Sequence, residues 1–268
     1  MSDAPLVDCH FHLFDKALPF VEMPRHTPDY DFTADDVLAT FDRHGVQYGV
    51  IAGASLYGTY NDHVIRAVRK HRRLRGTVIA DPSLDLYTME KMQADGIVGV
   101  RLVWISLGDD RLPDISAYEW KRLLRRIRDL DWHVHLHVGP GRLPSILPTV
   151  ESSGVKIVLD HFAYPDPKLG LNCPTFQTAL RAVESGRTWI KLSAGYRMGG
   201  ASVLMPFAQK LLEVAGPERL VWGSDAPFAS FEDKVTYQQT LEDFVTWVPD
   251  PSVRRIIGGE TPLKLYFS

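Results

Sequence analysis

The feature that most constrains this chain is a repeated alternation between short runs rich in β-branched residues and longer amphipathic segments. The alternation occurs eight times within 268 residues. Strands that alternate with helices predict a parallel sheet, because each crossover must pass over a face of that sheet. Eight such units in about 250 residues is the size of a closed (β/α)8 barrel. We therefore predict an α/β fold in which residues 1–268 form a single TIM-barrel domain.

The apolar patterns and the flanking turn residues place the individual elements. The first helix has well-marked ends, with Thr33 as N-cap, Asp36 three residues later and Gly45 as terminator. The first strand-to-helix turn, at 10–14, has no glycines of the kind that bind nucleotides, which disfavours a doubly wound open sheet. Strands are predicted at 6–10, 48–54, 75–80, 98–104, 132–138, 156–161, 188–194 and 219–225.

Composition limits which classes of partner the protein can have and which cellular compartment it suits. The chain has 30 Lys and Arg residues against 33 Asp and Glu residues, and this balance argues against nucleic acid or an anionic membrane as the main partner. It lacks both a signal-peptide pattern and an apolar stretch of the ~20 residues that a membrane span needs. Two cysteines, Cys9 and Cys173, are too few for a disulfide framework. We expect a cytoplasmic protein.

Several histidines lie at positions where the predicted barrel would carry its catalytic residues. His10 and His12 alternate at the end of the first strand, and His137 ends the fifth. His133 and His135 lie deeper in the fifth strand and are predicted to be structural. Catalytic residues of such barrels sit at the carboxyl ends of strands. Other polar side chains at or near these ends are Arg101, His161, Ser193 and Asp225.

Each of these groups has a structural explanation when taken alone. A single H-x-H can be packing, and His161 or Asp225 can cap a strand. Several such groups at one end of one barrel are harder to explain in this way. Neutral imidazole and carboxylate are also suitable ligands for zinc. The pattern therefore favours a functional site, with a metal as one option.

Three motifs resemble the amidohydrolase superfamily: VDCHFH at 7–12, VLDH at 158–161 and VWGSDAP at 221–227. The similarity extends nearly end to end and is greatest to a lactonase branch, which includes 2-pyrone-4,6-dicarboxylate lactonases and sugar-lactone hydrolases and isomerases. Superfamily members commonly bind metal, whereas the pyrone-lactonase branch works without it. Arg101 stands where a bridging Lys or Glu would be, so the resemblance implies no two-metal site. It allows one Zn²⁺ or similar ion on His10, His12, His137 and Asp225, with metal-independent catalysis as the alternative.

The resemblance implies a hydrolase that opens the ring of a small anionic lactone. Asp225 would be the general base, and His10, His12 and His161 would polarise the lactone carbonyl directly or through zinc. Residues expected to contact the substrate are Arg101, Arg197, Ser55, His26 and Tyr164. Two further arginines of the pyrone-dicarboxylate enzymes are replaced by Leu107 and Tyr164, which suggests one anionic group on the substrate.

Three alternatives to the lactone hydrolase remain at this stage. One is a zinc-dependent non-oxidative decarboxylase of the same superfamily, acting on a related unsaturated acid. The second is a lactone isomerase, and the third is a binding protein that has kept the barrel without turnover. A homo-oligomer is compatible with all of them.

Overall fold

A computed structural model, which describes residues 4–268, shows eight parallel strands in the order of the sequence. Helices lie between successive strands, so the predicted (β/α)8 barrel is confirmed. Residues 1–3 of the predicted domain lie outside the described residues. The strands are β1 (Leu6–Phe11), β2 (Val46–Ile51), β3 (Leu74–Val78), β4 (Ile97–Trp104), β5 (His133–Val138), β6 (Lys156–Leu159), β7 (Thr188–Leu192) and β8 (Leu220–Trp222).

Residues just beyond β1 and β8 join the first strand to the last. Phe11 pairs in parallel with Ala226. The Asp225 N–H donates to the His10 carbonyl at 2.7 Å, and the His12 N–H donates to the Ala226 carbonyl at 2.8 Å. This seam closes the barrel at its carboxyl end and is built from residues that the sequence places in the site.

The helices surround the barrel and bury their apolar faces against it. α1 begins and ends as predicted, because Thr33 and Asp36 form a reciprocal capping box and Gly45 adopts φ 71°. Two short helices follow the eighth helix. The helices are α1 (Ala34–His44), α2 (Asp62–Lys70), α3 (Leu86–Asp95), α4 (Tyr118–Asp129), α5 (Leu143–Ser152), α6 (Pro174–Glu184), α7 (Ala201–Ala215), α8 (Tyr237–Trp247), α9 (Pro251–Arg255) and α10 (Thr261–Tyr266).

Several strands end earlier than predicted. β6 stops at Leu159 and not at His161, and β8 stops at Trp222 and not at Asp225. His161 and Asp225 have φ values of 52° and 66°, which a strand cannot contain. The backbone turns here, and the two side chains meet, with His161 Nε2 3.8 Å from Asp225 Oδ1. Within residues 4–268 no helix is both long enough and apolar enough to cross a membrane.

Candidate active site

A cleft opens at the carboxyl ends of the barrel strands, and most of the predicted site residues line it. They are His12, His26, Ser55, Arg101, His137, His161, Arg197 and Asp225. His10 is fully buried beneath them, and the Tyr164 ring packs 5.5 Å from that of His137. A larger cavity at the amino ends of the strands, beside Arg72 and Lys156, contains none of the predicted site residues. The chemistry-bearing groups therefore gather at one end of the barrel, as predicted.

One carboxylate oxygen of Asp225 faces three imidazoles. Its Oδ1 lies 3.4 Å from His12 Nε2, 3.5 Å from His10 Nε2 and 3.8 Å from His161 Nε2. The period-2 geometry of β1 sends His10 and His12 to the same face, and the turn after β6 brings His161 to meet them. The sequence predicted that these residues lie close together, because each was assigned to the carboxyl end of a barrel strand.

The other oxygen of Asp225 is held by groups from the segment after β7. Oδ2 accepts a hydrogen bond from Tyr196 Oη at 2.6 Å and another from Arg197 Nε at 2.8 Å. Burial raises the pKa of Asp225, but the Arg197 guanidinium and the neighbouring histidines together outweigh burial and hold that pKa well below its usual range. Asp225 is thus an ionised carboxylate with one oxygen engaged and one facing the histidines. Tyr196 was not predicted from the sequence.

The far side of each imidazole shows how the ring is oriented. His12 Nδ1 lies 2.8 Å from the Ala52 carbonyl, and His161 Nδ1 lies 2.8 Å from Ser193 Oγ. Burial lowers the pKa of His12 and lowers that of His161 to about 3, so both rings are neutral at pH 7. A carbonyl oxygen can only accept, so His12 carries its proton on Nδ1 and directs the Nε2 lone pair at Asp225.

A buried ionic network lies below the imidazoles. Asp160 Oδ1 contacts Lys191 Nζ at 3.0 Å, and Asp160 Oδ2 accepts from Arg101 Nε at 2.9 Å. Lys191, which is fully buried in β7, also lies 3.1 Å from His10 Nδ1 and 3.0 Å from His135 Nδ1. The floor of the site is therefore charged, and Lys191 lies close to the Asp160 carboxylate and to two imidazoles. Lys191 was not predicted as a site residue, although a lysine flanked by apolar residues in a predicted strand is a signal of a buried charge.

Both arginines predicted to bind substrate already have protein partners. Besides Asp160, Arg101 donates to the Gly53 carbonyl at 2.8 Å and lies 3.1 Å from His137 Nδ1. Besides Asp225, Arg197 donates to the Ala229 carbonyl at 3.2 Å. Their role as substrate contacts stays a prediction, and each has a structural role beside it.

The donor atoms fit a single divalent ion in type and spacing. Ligand atoms of His10, His161 and Asp225 all lie within 4.8 Å of one another. In tetrahedral zinc, bonds of about 2.0–2.1 Å place neighbouring ligand atoms about 3.3 Å apart, close to the separations from Asp225 Oδ1 given above. The His12 lone pair and the Asp225 oxygen repel each other at 3.4 Å unless a cation or a proton lies between them. The predicted set of His10, His12, His137 and Asp225 differs from this triad and stays a prediction.

Known proteins resemble the chain along its whole length. Sequence identity is 28% to the 4-sulfomuconolactone hydrolase of Rhizobium radiobacter, covering 97% of this chain and 89% of that protein. It is 25% to the 2-pyrone-4,6-dicarboxylate hydrolase of Comamonas testosteroni, covering 98% and 90%.

A solved structure agrees with these relatives. It is that of a probable 2-pyrone-4,6-dicarboxylic acid hydrolase from Acinetobacter baumannii with citric acid bound. The two structures superpose with a TM-score of 0.93 at 29% identity, over 98% of this chain and 99% of the other. The model of the amidohydrolase family matches residues 7–267. The chain therefore belongs to the amidohydrolase family.

Proposed function

We propose that this protein hydrolyses a small anionic lactone. The observation that carries the proposal is the Asp225 carboxylate, which presents one oxygen to three imidazoles in a cleft lined by arginines. The lactone hydrolases named among its relatives support the same reaction class.

The roles of the residues follow from their positions. Asp225 Oδ1 accepts a proton from the attacking water, whose oxygen forms a bond to the lactone carbonyl carbon. His10, His12 and His161 surround the site where the carbonyl oxygen gains negative charge. They stabilise it through an ion, or directly where a proton lies on the Nε2 atom that faces that oxygen. The bond from that carbon to the ring oxygen then breaks, and Asp225 returns the proton to the ring oxygen. Ser55, His26 and Tyr164 are proposed to orient the ring.

We further propose that one divalent ion, with zinc as the first candidate, binds Asp225 together with imidazole Nε2 atoms of His10, His12 and His161. Such an ion would polarise the carbonyl and lower the pKa of water. The neutral His12 facing an ionised carboxylate supports this proposal. His137 is the remaining predicted ligand. The metal-independent alternative places a proton between His12 and Asp225.

Metal content distinguishes these two versions. We expect purified protein to contain about one equivalent of zinc or a similar ion by mass spectrometry of the elements. Calorimetry should show that Asp225→Asn weakens zinc binding to the chelated protein, because one anionic ligand is lost. Full activity in protein shown to be free of metal would exclude the ion and leave the proton-bridged version.

The reaction itself is tested with 4-sulfomuconolactone and 2-pyrone-4,6-dicarboxylate in ¹⁸O-labelled water. A hydrolase places the label in the product carboxylate, an isomerase adds none, and a decarboxylase releases carbon dioxide. We expect labelled product, with kcat at least about 100-fold lower in Asp225→Asn, because the general base is lost. The matched control Asp129→Asn, on the exposed surface of α4, should keep wild-type kcat. Binding without turnover of either lactone would favour a binding protein.

We also infer the setting in which the enzyme works. Cys9 and Cys173 are both free and buried, which suits a reducing compartment such as the cytoplasm. The proposal takes residues 1–268 as one domain with a small-molecule substrate and without a nucleic-acid or membrane partner. A homo-oligomer is compatible with it.

A further inference from the structure

The guanidinium groups that line the cleft differ in how their charge is compensated. Arg101 is paired with Asp160 and Arg197 with Asp225. Arg25 also lines the cleft, yet no carboxylate of residues 4–268 lies within 4.0 Å of it. Arg25 is therefore the guanidinium of the cleft whose charge the described protein leaves unpaired.

The surroundings of Arg25 make an anion favourable beside it. Its side chain is half-buried. Burial and the nearby positive charge of Arg197 both lower the pKa of Arg25, so the two guanidinium groups interact unfavourably across the cleft. A bound anion between them would relieve this repulsion. Guanidinium also suits planar or tetrahedral oxyanions, because it presents several donors in a fixed plane.

The loop that carries Arg25 is held on both sides, so the backbone from which the Arg25 side chain projects is positioned before substrate arrives. On one side, the Val21 N–H donates to the Leu56 carbonyl at 2.9 Å. On the other side, His26 Nδ1 lies 2.8 Å from Ser230 Oγ, and Tyr30 Oη donates to Glu232 at 2.8 Å. A loop that is already held loses little conformational entropy when its arginine binds an anion, which favours binding at this position.

We propose that Arg25 binds an anionic substituent of the lactone, a carboxylate or a sulfonate, and thereby selects charged over neutral lactones. This inference rests on the proposed function and adds to it a specificity residue that the strand-end analysis does not contain. Arg197, which has its Nη1 free of the hydrogen bonds given above, faces the same anion from the other side. Leu107 and Tyr164 stand where the pyrone-dicarboxylate enzymes have arginines, which suggested fewer cations in this cleft. Arg25 would supply one cation in their place.

Binding of an unreactive anion tests the proposal without requiring turnover. Isophthalate, a planar dianion without a lactone bond, is titrated by calorimetry into wild-type protein, Arg25→Gln and Arg25→Lys. We expect Arg25→Gln to weaken binding by about ten- to a hundredfold, because a charge-assisted hydrogen bond to a desolvated anion is lost. Arg25→Lys should bind with intermediate affinity. The control Arg72→Gln, which makes the same charge change at the amino end of the barrel, should bind like wild type.

A pair of substrates then tests selectivity. For a lactone that carries a carboxylate, Arg25→Gln should raise KM about ten- to a hundredfold with a much smaller change in kcat. For the methyl ester of that lactone, KM should change by less than about threefold. Equal isophthalate affinity in wild type and Arg25→Gln, or no binding to wild type, would overturn the assignment of Arg25. Failure of the lactone assay with the binding difference intact would overturn the proposed reaction and leave the anion site standing.

Discussion

At the scale of single residues, the two carboxylate oxygens of Asp225 have different partners and different roles. Oδ2 is fixed by Tyr196 and Arg197, so the carboxylate cannot rotate freely, and Oδ1 is left to face the imidazoles. The Arg197 charge is also the largest of the several effects that together keep Asp225 ionised against burial. Arg197 therefore acts on the reaction through Asp225, whatever it contributes to substrate binding.

Arg197→Gln should consequently change the pH dependence of the reaction. Loss of the adjacent positive charge raises the pKa of Asp225, so the base becomes protonated at less acidic pH. The acid limb of the plot of kcat/KM against pH should move to higher pH by about one unit or more. Arg197→Lys, which keeps a charge, should shift it less. An acid limb that stays in place in Arg197→Gln would show that Arg197 does not control the ionisation of Asp225.

At the scale of elements, the sequence predicts what is encoded locally. The ends of α1 follow from Thr33, Asp36 and Gly45, whose side chains or backbone freedom act within a few residues. The eight strands and their order follow from apolar runs. His10, His12, His161 and Asp225 follow from the rule that barrel strands deliver side chains at their carboxyl ends.

The ends of the strands could not be predicted, because distant contacts set them. After β6, four successive non-glycine residues, 161–164, have φ between 52° and 63°. Such a run is unfavourable locally and persists only when the surrounding fold enforces it. Lys191, Tyr196 and Arg25 were missed for a related reason. Their long side chains carry charge or a hydroxyl into the site from β7 and from two loops. The local sequence pattern does not indicate where the ends of such side chains lie in the fold.

At the scale of the whole molecule, the barrel contains several histidines that are buried and neutral. His133, in β5 and far from the cleft, lies with Nδ1 2.8 Å from the Val98 carbonyl, and burial lowers its pKa to about 4. The unfolded chain binds a proton at this residue near pH 6.5. The stability that His133 contributes is therefore complete above about pH 6.5 and is lost as the pH falls toward 4.

His133→Gln should make the protein less sensitive to acid. Between pH 6.5 and 4 its free energy of unfolding should fall by about 3 kcal/mol less than that of wild type, because one fewer proton is taken up on unfolding. Urea unfolding at several pH values measures both slopes. His10, His12 and His161 remain, so a residual acid sensitivity is expected. Parallel pH profiles for the two proteins would contradict the assignment to His133.

The seam between β1 and Ala226 has a consequence for how the protein is made. Synthesis proceeds from the amino terminus, so one edge of β1 stays unpaired until residues 225 and 226 have been synthesised. Asp225 arrives with them, so the last strand contact and the proposed base enter the fold together. A chain that terminates before this point has neither, and its open strand edge invites aggregation. Truncation before Asp225 should therefore yield a product that is inactive and prone to aggregate.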